Sequence, residues 1–120
     1  MTIFLALSAL VWLPYGLYCF ARPDVLHQIA GVAATTPTAM TELRAMYGGL
    51  QAALGALAIV GLMRPELRRS MVLTFGILAG GLGLARLGGI LMGGGLSGYT
   101  VGGLAFEYGF AIWAGVLLKR

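Results

Sequence analysis

The chain has 120 residues, 59% of them hydrophobic and only 10% charged, with 20 glycines. Soluble domains carry about 25% charged residues, so this composition excludes an ordinary water-soluble domain and indicates a membrane protein. The net charge of +4 does not indicate nucleic acid, because Arg64, Arg68, Arg69, Lys119 and Arg120 gather at the ends of apolar runs.

A hydrocarbon core about 30 Å thick takes about 20 residues of helix to cross. Segments 3–20, 41–62, 71–92 and 101–118 meet that length. The expected fold class is therefore all-α: an integral membrane four-helix bundle, one domain over 1–120, with a short interfacial helix between the first two spans.

The first segment has no basic stretch before it and no small-x-small cleavage site after it, so it reads as a retained span rather than a secretory signal. Pro14 removes a backbone donor there and predicts a kink. Ser8, Trp12, Tyr15, Cys19 and Arg22 recur at helical spacing, forming either an inward polar face or an aromatic belt at the interface. Cys19 is the only cysteine, which excludes an intrachain disulfide. Pro23 and Gly31 punctuate a short helix over 23–30. Thr36-Pro37 then supplies an N-cap and first helical position, so the second helix starts before its span does. At 1.5 Å per residue, residues 37–63 make about 40 Å of helix, enough to protrude or tilt.

Each later span carries a stripe of small and polar residues, the pattern of helix contacts in lipid. The second has Arg44, Tyr47, Gly48, Gln51, Gly55 and Ala58; the third has Gly76, Gly80, Gly83 and Leu87, with Arg86 at the margin. The fourth has Thr100, Gly103, Glu107, Phe110, Ala111 and Ala114. If four helices alternate, Arg64, Arg68, Arg69, Lys119 and Arg120 share one side. The positive-inside rule makes that side cytoplasmic, giving a multi-pass cell inner-membrane protein with both termini in the cytoplasm.

Arg86 and Glu107 stand out because a charge deep in a bilayer costs about 2.5–3.5 kcal/mol on insertion scales. Arg86 precedes Met92 by six residues, about 9 Å at helical rise, and Glu107 follows Thr100 by seven, at nearly the same depth. A short link makes these helices antiparallel neighbours and an Arg86–Glu107 pair reasonable. With Glu42, Arg44, Tyr47, Gln51 and Tyr99 they form an expected polar pocket near the outer leaflet. It is either a ligand site or a buried pair that fixes register.

His27 is the sole histidine and reads as an interfacial side chain, so no metal or cofactor is expected. Gly93-Gly94-Gly95 follows no strand and reads as a flexible outer turn. No Ser–His–Asp, His-Glu-x-x-His or Cys-x-x-Cys arrangement is present.

The run Thr41-Glu42-Leu43-Arg44-Ala45-Met46-Tyr47-Gly48-Gly49-Leu50-Gln51, together with Arg86-Leu87-Gly88, Ser97-Gly98-Tyr99-Thr100 and Phe106-Glu107, resembles the bacterial domain-of-unknown-function 4345 proteins. That resemblance spans nearly the whole chain. It implies four membrane helices and a looser kinship with DoxX-like membrane proteins, and it brings no activity or catalytic residue.

The leading functional expectation is a non-enzymatic binding or accessory subunit. Its expected partners are membrane lipid and either further copies of itself or a larger membrane protein. One alternative is a small proton-coupled exporter. Small multidrug-resistance transporters, however, place an essential Glu in the first helix, where this chain has no acid, and an Arg partner on Glu107 hinders proton exchange. The other is a lipid- or quinone-modifying enzyme drawing on Glu42, Tyr47 and Glu107.

Overall fold

The computed structural model describes residues Met1–Arg120. It is all helical: α1 (Thr2–Ala21), α2 (Val25–Ala30), α3 (Pro37–Leu43), a π-helical stretch Arg44–Gly49, α4 (Leu50–Met63), a 3₁₀ turn Pro65–Leu67, α5 (Arg68–Leu91) and α6 (Gly98–Lys119). Four continuous helices are long and apolar enough to cross a membrane: Thr2–Ala21, Pro37–Met63, Pro65–Leu91 and Gly98–Lys119. The small helix α2 occupies the place expected for the interfacial helix.

The ends of these helices follow from side-chain and glycine chemistry. Thr36 is extended, and its Oγ1 accepts from Ala39 N at 3.1 Å, so the second span does begin at Pro37. Gly31, at φ 69°, turns the chain at the end of α2, and the Gly31 and Val32 amides donate back to His27 O and Leu26 O. The fourth helix starts earlier than its apolar run suggests. Ser97 is an N-cap whose Oγ accepts from Thr100 N at 3.1 Å, which puts Gly98, Tyr99 and Thr100 in the first turn of α6.

The triple glycine is likewise more ordered than its composition implies. Gly93 sits at φ 97°, with Gly93 N bonded to Ile90 O and Gly94 N to Gly89 O. That pair of bonds is a Schellman cap closing α5, so the expected flexible turn is a defined helix stop.

The chain divides into two compact units, Thr2–Arg68 and Arg69–Arg120. In the first, α1 packs along α4 and the π-helical stretch. The small face of the second span is what allows this. A Cβ on Gly48 would stand 2.7 Å from Phe20 Cβ, and one on Gly55 would collide with Leu13. Gly16 answers from α1, where a Cβ would collide with Ala52 N and Gly48 O. Backbones this close replace the hydrophobic drive that lipid does not provide. Ser8 and Cys19 are fully buried and Trp12 and Tyr15 half-buried, so the polar face of α1 turns inward up to Arg22, which is exposed; Ser8 Oγ donates to Phe4 O at 2.8 Å.

In the second unit the small faces of α5 and α6 meet each other. A Cβ on Gly76 would stand 2.8 Å from Ala114 Cβ, one on Gly80 3.7 Å from Ala111 Cβ, and one on Gly83 3.4 Å from Glu107 Cβ. Partner numbers fall along α6 as they rise along α5, so the pair is antiparallel. Val72, Phe75, Ala79, Phe110 and Ala114 are buried.

Two glycines separate packing from propensity. Gly16→Ala is expected to lower stability by about 1–3 kcal/mol, because the backbone atoms it meets cannot rotate away. Gly81→Ala, with nothing within 4 Å of its Cβ position, is expected to stay within about 0.5 kcal/mol of the parent. Unfolding in mixed micelles reads both.

Candidate functional site

Glu107 is the only acid in α6, and its side chain is 3% exposed. Ser97 sets the helix start, and counting from it places Tyr99, Gly103 and Glu107 four residues apart on one face of α6. Facing them on α5 are Gly83 and, one turn on, Arg86. Arg86 Nη2 donates to Glu107 Oε1 at 2.6 Å, while Nε lies 3.1 Å from Oε1 and 3.0 Å from Oε2. Both carboxylate oxygens are therefore engaged by one guanidinium, the strong geometry for such a pair.

Gly103 makes room for it, and Gly83 lies at ordinary contact distance. A Cβ on Gly83 would stand 3.6 Å from Glu107 Oε2, and one on Gly103 would lie 2.9 Å from both Cζ and Nε of Arg86. The Tyr99 ring completes the cluster, its centroid 5.7 Å from Arg86 Cζ, within cation–π range. The Arg86 side chain keeps 22% of its surface exposed, so the pair is enclosed on the glutamate side and open on the arginine side.

The structure thus brings Arg86, Tyr99 and Glu107 together. Glu42, Arg44, Tyr47 and Gln51 lie in the other unit. Arg44 reaches the end of α1, where its Nε donates to Phe20 O at 3.2 Å. Glu42 is exposed and makes no ion pair, and Tyr47 is half-buried. Gln51 Nε2 lies 3.5 Å from Met46 O, while its Oε1 is enclosed and accepts no hydrogen bond.

One feature of this region is absent from the sequence reading: residues 44–49 wind as π-helix, with Leu50 N donating to Ala45 O. The adjacent Gly48-Gly49 is the sole local signal for it. Such stretches are rare and frequent at functional positions.

Other charges serve helix ends and links. Arg68 donates to Gly61 O and Leu62 O at 3.4 and 3.2 Å, and Arg69 Nη2 to Leu118 O at 2.8 Å, each closing a helix C-terminus. Arg64 lies 3.9 Å from Glu66. Arg22 holds Asp24 through bonds of 3.2 and 3.3 Å, and those bonds keep the Asp24 carboxyl below its ordinary range. The pair is solvent-exposed and adds little stability at any pH. No group of three or more His, Cys, Asp or Glu side chains converges to hold a metal ion.

The family model described as Domain of unknown function (DUF4345) matches residues 1–118. The comparisons with curated proteins and with solved structures gave no match.

Removing Arg86 is expected to cost about 3–5 kcal/mol, because it strands the buried Glu107 carboxylate, and removing Glu107 is expected to cost less, because Arg86 is open on one side. Arg86→Ala combined with Glu107→Ala is expected to cost less than the sum of the single changes. A double-mutant cycle on unfolding in mixed micelles measures the coupling, and strict additivity would show that the two charges do not interact.

Proposed function

Because the chain belongs to the DUF4345 family, which defines no activity, we propose a role from the site itself: a non-enzymatic membrane-embedded binding or accessory subunit with a polar site near the outer leaflet. The carrying observation is that both oxygens of the buried Glu107 are held by Arg86. A carboxylate so engaged is poorly placed to pass protons or attack a substrate, and well placed to fix a guanidinium and an aromatic ring for recognition. Arg86, Tyr99 and Glu107 are the polar site of the C-terminal hairpin, considered by itself. Glu42, Arg44, Tyr47 and Gln51 supply polar groups on the second span. The enclosed Gln51 Oε1 supports the same reading, because a buried acceptor without a donor invites one from a ligand or partner.

The placement of Arg64, Arg68, Arg69, Lys119 and Arg120 supports a multi-pass inner-membrane arrangement with both termini cytoplasmic. Membrane lipid is the nearest partner; further copies of the chain or a larger membrane protein fit an accessory role.

Native mass spectrometry from mild detergent is expected to show a stoichiometric bound species that Gln51→Leu removes. Reconstituted in liposomes under a pH gradient, the protein is expected to carry no solute-driven proton flux above empty vesicles. Flux that Glu107→Gln abolishes would replace this reading with that of an exporter. A reporter that fluoresces only in the cytoplasm, fused after Arg120, is expected to be bright.

A further inference from the structure

Beside the π-helical stretch lies an open groove of about 220 Å³ lined by Leu17, Phe20, Gly48, Gly49 and Ala52, with no polar lining surface. Its floor is low because three of these residues carry a methyl group or no side chain. Leu17 and Phe20 form its walls and are 57% and 55% exposed. Phe20 also connects the groove to a cation, since its carbonyl oxygen holds Arg44 Nε at 3.2 Å. The two Nη groups of Arg44 remain without a carboxylate partner, for the ion pairs of the chain are Arg22–Asp24, Arg64–Glu66 and Arg86–Glu107. Glu42, the one acid outside those pairs, lies two residues before Arg44. Residues two apart on a helix do not face each other, so Glu42 does not neutralise it.

We propose that this groove seats an acyl chain of an anionic phospholipid whose phosphate is bound by the Arg44 guanidinium. The apolar lining selects a hydrocarbon occupant, and the adjoining unneutralised cation selects a negative headgroup. Arg44 is suited to the phosphate because its Nε bond to the carbonyl fixes the plane of the fork while leaving the Nη donors available. The π-helical stretch presents Gly48 and Gly49 side by side at the groove, which explains why an irregular turn is retained at this point of an otherwise regular helix. This inference deepens the binding reading above by naming a ligand class for the second-span residues, and it does not depend on the Arg86–Glu107 pair.

The test uses the full chain reconstituted in bilayers of phosphatidylglycerol and phosphatidylcholine, then released into mild detergent for native mass spectrometry. One phosphatidylglycerol per chain is expected to be retained preferentially. Arg44→Gln is expected to reduce retention about tenfold or more, the loss of a charge-assisted contact, while Arg44→Lys keeps most of it. Gly49→Leu tests the groove independently. A Cβ there meets only Arg44 O at 3.8 Å, so the variant is expected to fold, with its side chain at the groove lining that the acyl chain would contact. Thermal unfolding confirms that each variant is folded; should Arg44→Gln fail to fold, Gly49→Leu carries the test.

Equal retention of both lipids, or undiminished phosphatidylglycerol on folded Gly49→Leu, would overturn the proposal. So would a second copy of the chain cross-linking through Leu17 and Phe20 irrespective of lipid. A bound species that persists alongside any of those results and is removed by Gln51→Leu would separate this failure from failure of the binding reading.

Discussion

The carboxylate of Glu107 is carried into a helix face where neither water nor backbone can answer it, and Arg86 is the group that does. The pair's geometry sets requirements on everything near it. The guanidinium must lie almost in contact with α6, which is possible because position 103 is glycine. The carboxylate leans toward α5, where Gly83 lies at van der Waals distance. The register that matches Gly76 with Ala114 and Gly80 with Ala111 brings Arg86 opposite Gly103 and Glu107. Packing and charge neutralisation therefore specify one alignment of the two helices, and a slip along the glycine face would strand both charges.

A shortage of donors at helix ends explains what three other arginines do. The last carbonyls of a helix have no intrahelical donor, and hydrocarbon supplies none. Arg44 reaches the end of α1, Arg68 the end of α4 and Arg69 the end of α6. Each guanidinium also meets the negative end of a helix dipole. Hydroxyls follow suit: Ser8, Thr41 and Thr74 donate to carbonyls four residues back. Residues that a charge count treats as topology markers thus also close hydrogen-bond accounts that lipid would leave open.

Much of this was legible before any coordinates. Periodicity placed Gly76, Gly80 and Gly83 on one stripe and Gly103, Glu107, Ala111 and Ala114 on another, and those stripes meet. Thr36-Pro37 carries its own start signal, and the helix obeys it. The Arg86–Glu107 pair follows from similar depth and the short link that makes their helices neighbours, because an unpaired charge in lipid is costly enough to call for a partner. Less local features were hidden. Gly16 stands alone in its helix, so nothing in the sequence announced that the second span packs against it. Ser97 sits outside the apolar window, and a hydropathy reading starts the helix too late and leaves Tyr99 in a link. The π-helical stretch depends on backbone bonding that hydrophobic spacing does not encode. The second-span polar residues share a stripe with packing glycines, and the structure shows the glycines, with Arg44 alone among the polar groups, making the contact with α1.

Arg44 and Arg86 illustrate how one residue type takes two roles according to what answers it. Arg86 meets a carboxylate, which supplies both hydrogen-bond acceptors and a counter-charge, so the pair is close to neutral. Arg44 meets the carbonyl of Phe20, which supplies an acceptor and a fixed orientation but no counter-charge. The first arrangement is complete within the chain and can serve register. The second leaves a net positive charge at a known place, beside an apolar groove that hydrocarbon can enter. A cation oriented by a carbonyl and left unneutralised is open to pairing with an anion, and a bilayer surface supplies phospholipid phosphate. That asymmetry assigns helix alignment to one arginine and contact with the membrane to the other.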